Sequence, residues 1–169
     1  AMSTRLAERS PPRAPLTAPA GAPSTARMAI ALLALLGLFV SLYLTLYETG
    51  VLGTIQCSTG GCETVQNSAY AWFPPRTVSD HGVPVALLGL VAYGALIGLA
   101  LLGLQPRWAA RRELALGITL IAGVGVAFSA WLTYLEAAVI HAWCQWCVIS
   151  AVLVTLIFLL SLPGLRRAR

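Results

Sequence analysis

Four stretches of this chain carry no charged side chain: residues 28–47, 82–106, 114–135 and 142–165. Each is near or above the ~20 residues that cross a hydrocarbon layer as a helix. Hydrophobic residues make up 58% of the chain and charged residues 10%, against roughly 25% charged in an average soluble domain. Such a chain lacks the polar surface a water-soluble fold needs. The expected fold is an all-α integral membrane protein, a four-transmembrane-helix bundle with spans at about 28–47, 83–105, 114–135 and 144–162.

Arginine sets the expected orientation. The chain has no lysine, and its 11 basic residues are all Arg. Four precede the first span (Arg5, Arg9, Arg13, Arg27), three lie between the second and third (Arg107, Arg111, Arg112), and three follow the fourth (Arg166, Arg167, Arg169). An even number of spans puts both termini on one side, and the positive-inside bias makes that side cytoplasmic. Residues 48–82 then form an outer loop and 136–143 an outer turn, holding Glu48, Glu63, Asp80 and Glu136 against the single Arg76. The basic pI of about 9.4 thus reflects topology, and no nucleic-acid partner is expected.

Residues 1–27 are mostly Ala, Pro, Ser, Thr and Arg, with five prolines and no helical or strand period, and are read as a disordered cytoplasmic tail. The first apolar run exceeds a signal-peptide core and shows no convincing cleavage site, so it reads as an uncleaved anchor. Residues 28–165 then form one transmembrane domain, and 166–169 a basic cytoplasmic tail. Gly94 and Gly98 make a GxxxG on the second span, and Gly123 with Ala127 a small-xxx-small pair on the third. Both are expected to bring helices together within one bundle rather than between two copies.

The four cysteines carry the chemistry. Cys57 and Cys62 flank a Ser-Thr-Gly-Gly turn in the outer loop, and "IHAWCQWCVIS" places Cys144 and Cys147 at the head of the fourth span. All four map to the outer face, where disulfides persist, and the spacing suggests two short-loop disulfides. A four-thiolate zinc site would accept these spacings but would sit in an oxidising compartment, and no metal is expected. Purely structural staples would close loops of only four and two residues and stabilise little. Redox exchange is the favoured reading.

The C-x2-C pair supports it. Spacing of i, i+3 sets both sulfurs on one helical face, and the unpaired N–H groups and positive dipole at a helix start favour a Cys144 thiolate. Cys144 is therefore expected to be the attackable sulfur. Three residues at ~1.5 Å rise put Cys147 roughly 4.5 Å deeper, toward a membrane-dissolved electron carrier.

These residues resemble the vitamin K epoxide reductase family, in its bacterial disulfide-forming branch without a fused thioredoxin domain, over roughly residues 27–163. The resemblance rests on the loop pair coming first and the helix C-x2-C last, on "CETVQNSAYA" from the second loop cysteine, and on "GVPVALLGLVAY" opening the second span. The DsbB type of quinone-linked oxidase has the opposite order of pairs. The resemblance implies a thiol:quinone oxidoreductase in the bacterial plasma membrane, passing electrons from a separate exported thioredoxin-like (DsbA-like) protein to a lipid quinone of the menaquinone, ubiquinone or phylloquinone type. It implies that Cys57 meets the partner, Cys62 exchanges with Cys144, and Cys147 faces the quinone ring. Ser68 matches a serine that follows the loop cysteine in the family. Where vertebrate members place an asparagine near the start of the second helix and a tyrosine after the last cysteine, this chain has Val85 and Ala151. Both are quinone-contact candidates, and their identity disfavours vitamin K epoxide reduction, which stands as the alternative beside a non-enzymatic scaffold held by structural disulfides.

Other outer residues support weaker expectations. His141 reads as an interfacial histidine before a thiolate partner. Trp143 and Trp146 flank Cys144 and fit an interface belt, with contact between Trp146 and the quinone as the functional option. Trp72, Phe73, Pro74 and Pro75 would rest the loop on the bilayer, and one short helix is expected to begin near Cys62. Glu136 is read as a solvated helix end rather than a proton carrier.

Overall fold

The computed structural model describes residues 24–78, 81–108 and 111–167. Four long helices run through it: α1 (Ser24–Glu48), α3 (Val85–Leu104), α4 (Arg112–Leu135) and α5 (Gln145–Arg167). Each is long and apolar enough to cross a membrane, and the chain is an all-helical, multi-pass membrane protein. A short helix α2 (Cys62–Gln66) lies in the long loop after α1, followed by a single 3-10 turn (Ala69–Ala71) and a two-residue antiparallel pair, β1 (Trp72–Phe73) with β2 (Val83–Pro84). That pairing returns the chain to the start of α3.

Helix α1 packs along α3 and α5, and α4 along α5 and α3. Their shared core is built from Ile30, Ala34, Tyr93, Leu96, Ala122 and Ile157. Close approach depends on glycine at defined points. A Cβ on Gly37 would sit 2.3 Å from the Tyr93 ring, so the bare backbone of α1 lets that ring lie across it. Tyr93 in turn donates from its hydroxyl to Ser150 O at 2.9 Å, satisfying a polar group that hydrocarbon would leave unpaired. Leu32, Phe39, Val91, Val152 and Leu159 point away from the core, as a lipid-facing shell requires.

Several expectations need correction. Helix α1 begins at Ser24 rather than 28, because Arg27 is drawn into the bundle and its guanidinium donates to Gly103 O near the end of α3. A cation at a helix C-terminus meets the negative end of the dipole. Gly94 and Gly98 do not join helices within the bundle: both face outward, and a Cβ on either would meet nothing within 4 Å. The third-span glycine does pack, with Gly123 against Phe158, while Ala127 is exposed. Helix α5 extends to Arg167, past the end expected at 162. Residues 1–23, Asp80 and residues 168–169 lie outside the described residues.

The largest correction concerns the end of α4. The helix does not stop at Leu135 but widens into a π-helical turn (Glu136–Ile140), closed by His141 at φ 55° in the left-handed region. The extra residue in a π turn rotates the downstream backbone relative to an α-helical continuation. Glu136 opens that turn with α-helical backbone angles (φ −59°, ψ −44°) and is only 3% exposed because its carboxyl turns in to accept from the Cys144 N–H, a buried carboxyl rather than a solvated helix end.

Candidate active site

The loop end of the bundle is stitched together around the head of α5. Trp146 Nε1 donates to Gln56 O at 2.8 Å, and the Tyr43 hydroxyl accepts from Gln56 N at 2.9 Å. Ser58 N donates to Gln145 Oε1 at 2.9 Å, and Thr59 Oγ1 to Trp143 O at 2.8 Å. The left-handed Gly60 (φ 72°) turns the chain, and Gly61 then lies flat on Trp143, where a Cβ would be 2.6 Å from Trp143 O. These contacts hold residues 56–61 against residues 143–146, so the loop cysteines are registered on the helix cysteines.

Cys57 and Cys62 are joined as a disulfide, whereas Cys144 and Cys147 are free thiols. Of the two disulfides expected, one is present. Cys62 and Cys144 are both fully buried and share one cluster with Val65, against which Cys57, Cys147, Ile55, Ile140 and Trp146 pack. Cys57 keeps partial exposure, and its Sγ lies 3.1 Å from Thr59 Oγ1. The loop pair thus has one sulfur toward the outside and one toward the helix pair.

Polar groups converge on the helix thiols. Gln66, four residues after Cys62 and so one turn along α2, reaches both sulfurs, with Nε2 at 3.6 Å from Cys144 Sγ and from Cys147 Sγ. Glu136 Oε2 accepts from Cys144 N at 3.1 Å. Cys144 sits just before the first turn of α5. Hydrogen bonding from the Cys147 thiol lowers its pKa to about 7, helped by the Cys147 backbone N–H and Gln66, while burial and Glu136 oppose the shift. Such a thiol is substantially ionised at neutral pH.

Behind the thiols lies a cavity of about 590 Å³ among α1, α3, α4 and α5, within the range of small-molecule sites. Its walls are mostly apolar, including Leu44, Ala86, Val124 and Phe128, with Cys147, Gln66, Ser68, Glu136 and Glu48 supplying the polar points near the loop end. Glu48 Oε2 is buried and has no hydrogen-bond partner among the described residues. A buried acid without a partner is costly unless something polar meets it.

The candidate residues divide around this cavity. Cys147 and Val85 line it, as does Ser68, whose Oγ donates to Val65 O at 2.7 Å. Trp146 and Ala151 are not among the described residues that line it. Trp146 is turned to the loop, its ring tilted at 56° against Tyr43 with centroids 5.0 Å apart, and the cavity face of α5 runs through Cys147, Ser150 and Val154, leaving Ala151 to one side. His141 is exposed, with Nδ1 3.2 Å from Val139 O, and serves the turn rather than the thiols. Glu48 and Gln66 were missed in the sequence. The available signals were an acid at the loop end of the first span, and a glutamine one helical turn beyond Cys62.

A buried dithiol, a disulfide packed on it and an apolar cavity at its inner sulfur define a membrane protein of thiol redox chemistry. A model of the vitamin K epoxide reductase family matches residues 28–162, and the chain belongs to that family, whose members are membrane thiol and quinone oxidoreductases. No individual curated protein matches the chain. The family's quinone suits the residues present: apolar walls for a ring and isoprenoid tail, a thiol in the wall, and a buried carboxyl oxygen, Glu48 Oε2, without a partner among the described residues for a carbonyl oxygen.

Proposed function

We propose that this protein reoxidises an exported thioredoxin-like protein and passes the electrons to a membrane quinone, so that disulfides form in exported proteins. The observation that carries this reading is the joint burial of Cys62 and Cys144 in one cluster, with Cys57 toward the outside and Cys147 on the cavity. Each sulfur then has one neighbour to exchange with on either side.

The partner's thiolate attacks the partly exposed Cys57, and Cys62 leaves as thiolate. After a second partner thiol resolves that bond, the loop pair is reduced. Cys62 attacks Cys144 of the oxidised helix pair and releases Cys147; Cys57 then attacks Cys62, remaking the loop disulfide and freeing Cys144. Two electrons have moved inward, leaving an oxidised loop pair beside reduced helix thiols, the arrangement of bonds described above. The low pKa of Cys144 makes it a good leaving group in that last step. Cys147 and Glu48 would hold the quinone at the cavity, which when bound accepts two electrons and two protons.

The same reading places the loop end outside the plasma membrane and both termini in the cytoplasm. A membrane-impermeant thiol reagent on intact, reduced cells is expected to reach Cys57, whereas a cysteine introduced as Arg111→Cys stays protected; the reverse pattern inverts the topology. The functional test is purified protein with a reduced thioredoxin-like partner and a soluble quinone analogue, watched for quinone bleaching. In Cys57→Ser the resolving thiol is gone, so a Cys62–Cys144 crosslink is expected to accumulate under non-reducing peptide mapping. Full activity in that variant, or a dominant Cys62–Cys147 crosslink, overturns the order of transfer.

A further inference from the structure

Glu136 occupies a position that the sulfur relay alone does not explain. It is 3% exposed, accepts from Cys144 N at 3.1 Å and lines the same cavity as Cys147. A buried carboxyl carries a desolvation cost. Glu136 opens a π-helical turn, and such turns cluster at functional sites. Apart from Cys144, which becomes the bond partner of Cys147, the described neighbours offer no other base: Gln66 holds no exchangeable charge, and His141 is exposed and bonded to Val139 O.

We propose that Glu136 is the proton acceptor for Cys147, taking the thiol proton as the Cys144–Cys147 disulfide forms and passing it into the cavity. The inference rests on the quinone-reducing reading above and assigns the proton path within it. Forming the S–S bond releases two electrons and, from a fully protonated pair, two protons. Cys144 gives its proton to the aqueous side when it ionises, so one remains on Cys147 Sγ. That S–H bond breaks toward the Glu136 carboxylate as the sulfur electrons are withdrawn, and Glu136 holds the proton at the cavity wall. The proton then leaves for a quinone oxygen; the second, equal to the one Cys144 lost, comes from water. Two electrons and two protons convert quinone to hydroquinone, and the balance closes.

The geometry also explains why the acceptor is a carboxylate on α4 rather than a group on α5. One oxygen is fixed by the Cys144 N–H, which holds the carboxyl at the head of α5 on the cavity that Cys147 also lines. Glu136 is thus the one ionisable side chain in the described site that bonds the head of the helix pair and also borders the cavity.

Glu136→Gln tests the idea, because the amide keeps an oxygen for the Cys144 N–H yet cannot take a proton. Glu136→Asp restores the carboxylate one methylene further back. Loop-to-helix exchange, followed by acid trapping, is expected to stay within about twofold of the parent in both. Quinone reduction by the pre-reduced protein is expected to fall about 100-fold or more in Glu136→Gln, the usual contribution of a positioned acid or base, and to recover largely in Glu136→Asp. A second measurement needs no quinone: infrared difference spectra of the oxidised minus reduced protein are expected to show a protonated carboxyl signal that Glu136→Asp keeps and Glu136→Gln loses. Normal quinone reduction in Glu136→Gln, equal slowing of both steps, or an unchanged carboxyl signal overturns the proposal. A parent that never bleaches quinone instead sinks the functional reading, and the infrared arm still decides the role of Glu136.

Discussion

The two cysteine pairs lie against each other and are built from different materials. Cys57 and Cys62 hang on a loop whose shape comes from backbone and polar contacts: a left-handed glycine, a glycine pressed on Trp143, and four hydrogen bonds to the first span and the head of α5. Cys144 and Cys147 sit at the start of a spanning helix, where apolar packing fixes the backbone, Gln66 brings its amide to both sulfurs and Glu136 its carboxyl to the Cys144 N–H. The loop pair can therefore be displaced or lifted at modest cost, while the helix pair is held by the bundle. A relay needs that asymmetry, because one pair must meet a bulky partner and the other a ligand dissolved in lipid.

The sharpest way to break the comparison is to remove the sulfur that only the helix pair places at the cavity. Cys147→Ser is expected to abolish quinone reduction while the loop pair still exchanges thiols with a thioredoxin-like partner. Stopped-flow quinone absorbance and acid-trapped thiol labelling read the two halves separately. Turnover at the parent's rate would mean that the cavity is not where the electrons leave.

A smaller effect is expected where the two regions touch. In Gly61→Ala the new methyl would meet Trp143 O and N at 2.6 and 2.8 Å, and backbone cannot swing aside as a flexible side chain would. Relief requires lifting the loop from α5, an overpacking cost of about 1–3 kcal/mol. Since about 1.4 kcal/mol is tenfold in rate, loop-to-helix transfer is expected to slow about tenfold or more. Quinone reduction by already reduced helix thiols stays near normal. Gly60→Ala is the companion: its Cβ meets nothing within 4 Å, so a loss there reflects the left-handed backbone alone. Equal effects of the two substitutions on transfer would show that the close approach at Gly61 is not what registers the pairs.

How legible each feature was in the sequence depends on the kind of signal it leaves. The spans stand out because absence of charge over some twenty residues has one common cause, and the C-x2-C at the head of the last span announces a dithiol by spacing alone. The short helix from Cys62 was also legible. Gly94 and Gly98 misled because α3 is apolar on every side, so nothing in its pattern separates a lipid-facing face from a packed one. Glu136 misled because an acid after a long apolar helix looks solvated, and the Cys144 N–H that holds its carboxyl inside comes from the next segment of the chain. The cavity belongs to no single segment, since α1, α3, α4 and α5 each contribute part of its wall.

The smallest expected effect tests the polar contact that spans both regions. Gln66 belongs to the loop through α2, yet its amide serves the helix sulfurs, so Gln66→Leu keeps the bulk and removes the donor. Cys144 is the thiol to watch, because its pKa is lowered to about 7 chiefly by hydrogen bonding from Cys147 and further by Gln66. A lowered thiol pKa means the thiolate predominates above that value and is lost as pH falls through it. Removing one donor to the anion therefore raises the midpoint. A hydrogen bond to a charged group contributes about 1.5–3 kcal/mol, and 1.36 kcal/mol corresponds to one pH unit. With the amide shared between two sulfurs at 3.6 Å, the lower end applies, and the midpoint is expected to rise by about one unit. Thiolate absorbance of the reduced protein, with Cys144→Ser to identify the signal, measures it directly. At pH 7 the parent would then be about half ionised and Gln66→Leu about a tenth, with Cys144 correspondingly poorer as a leaving group. A midpoint that stays put, or moves down, would show that the helix pair sets its own ionisation without help from the loop.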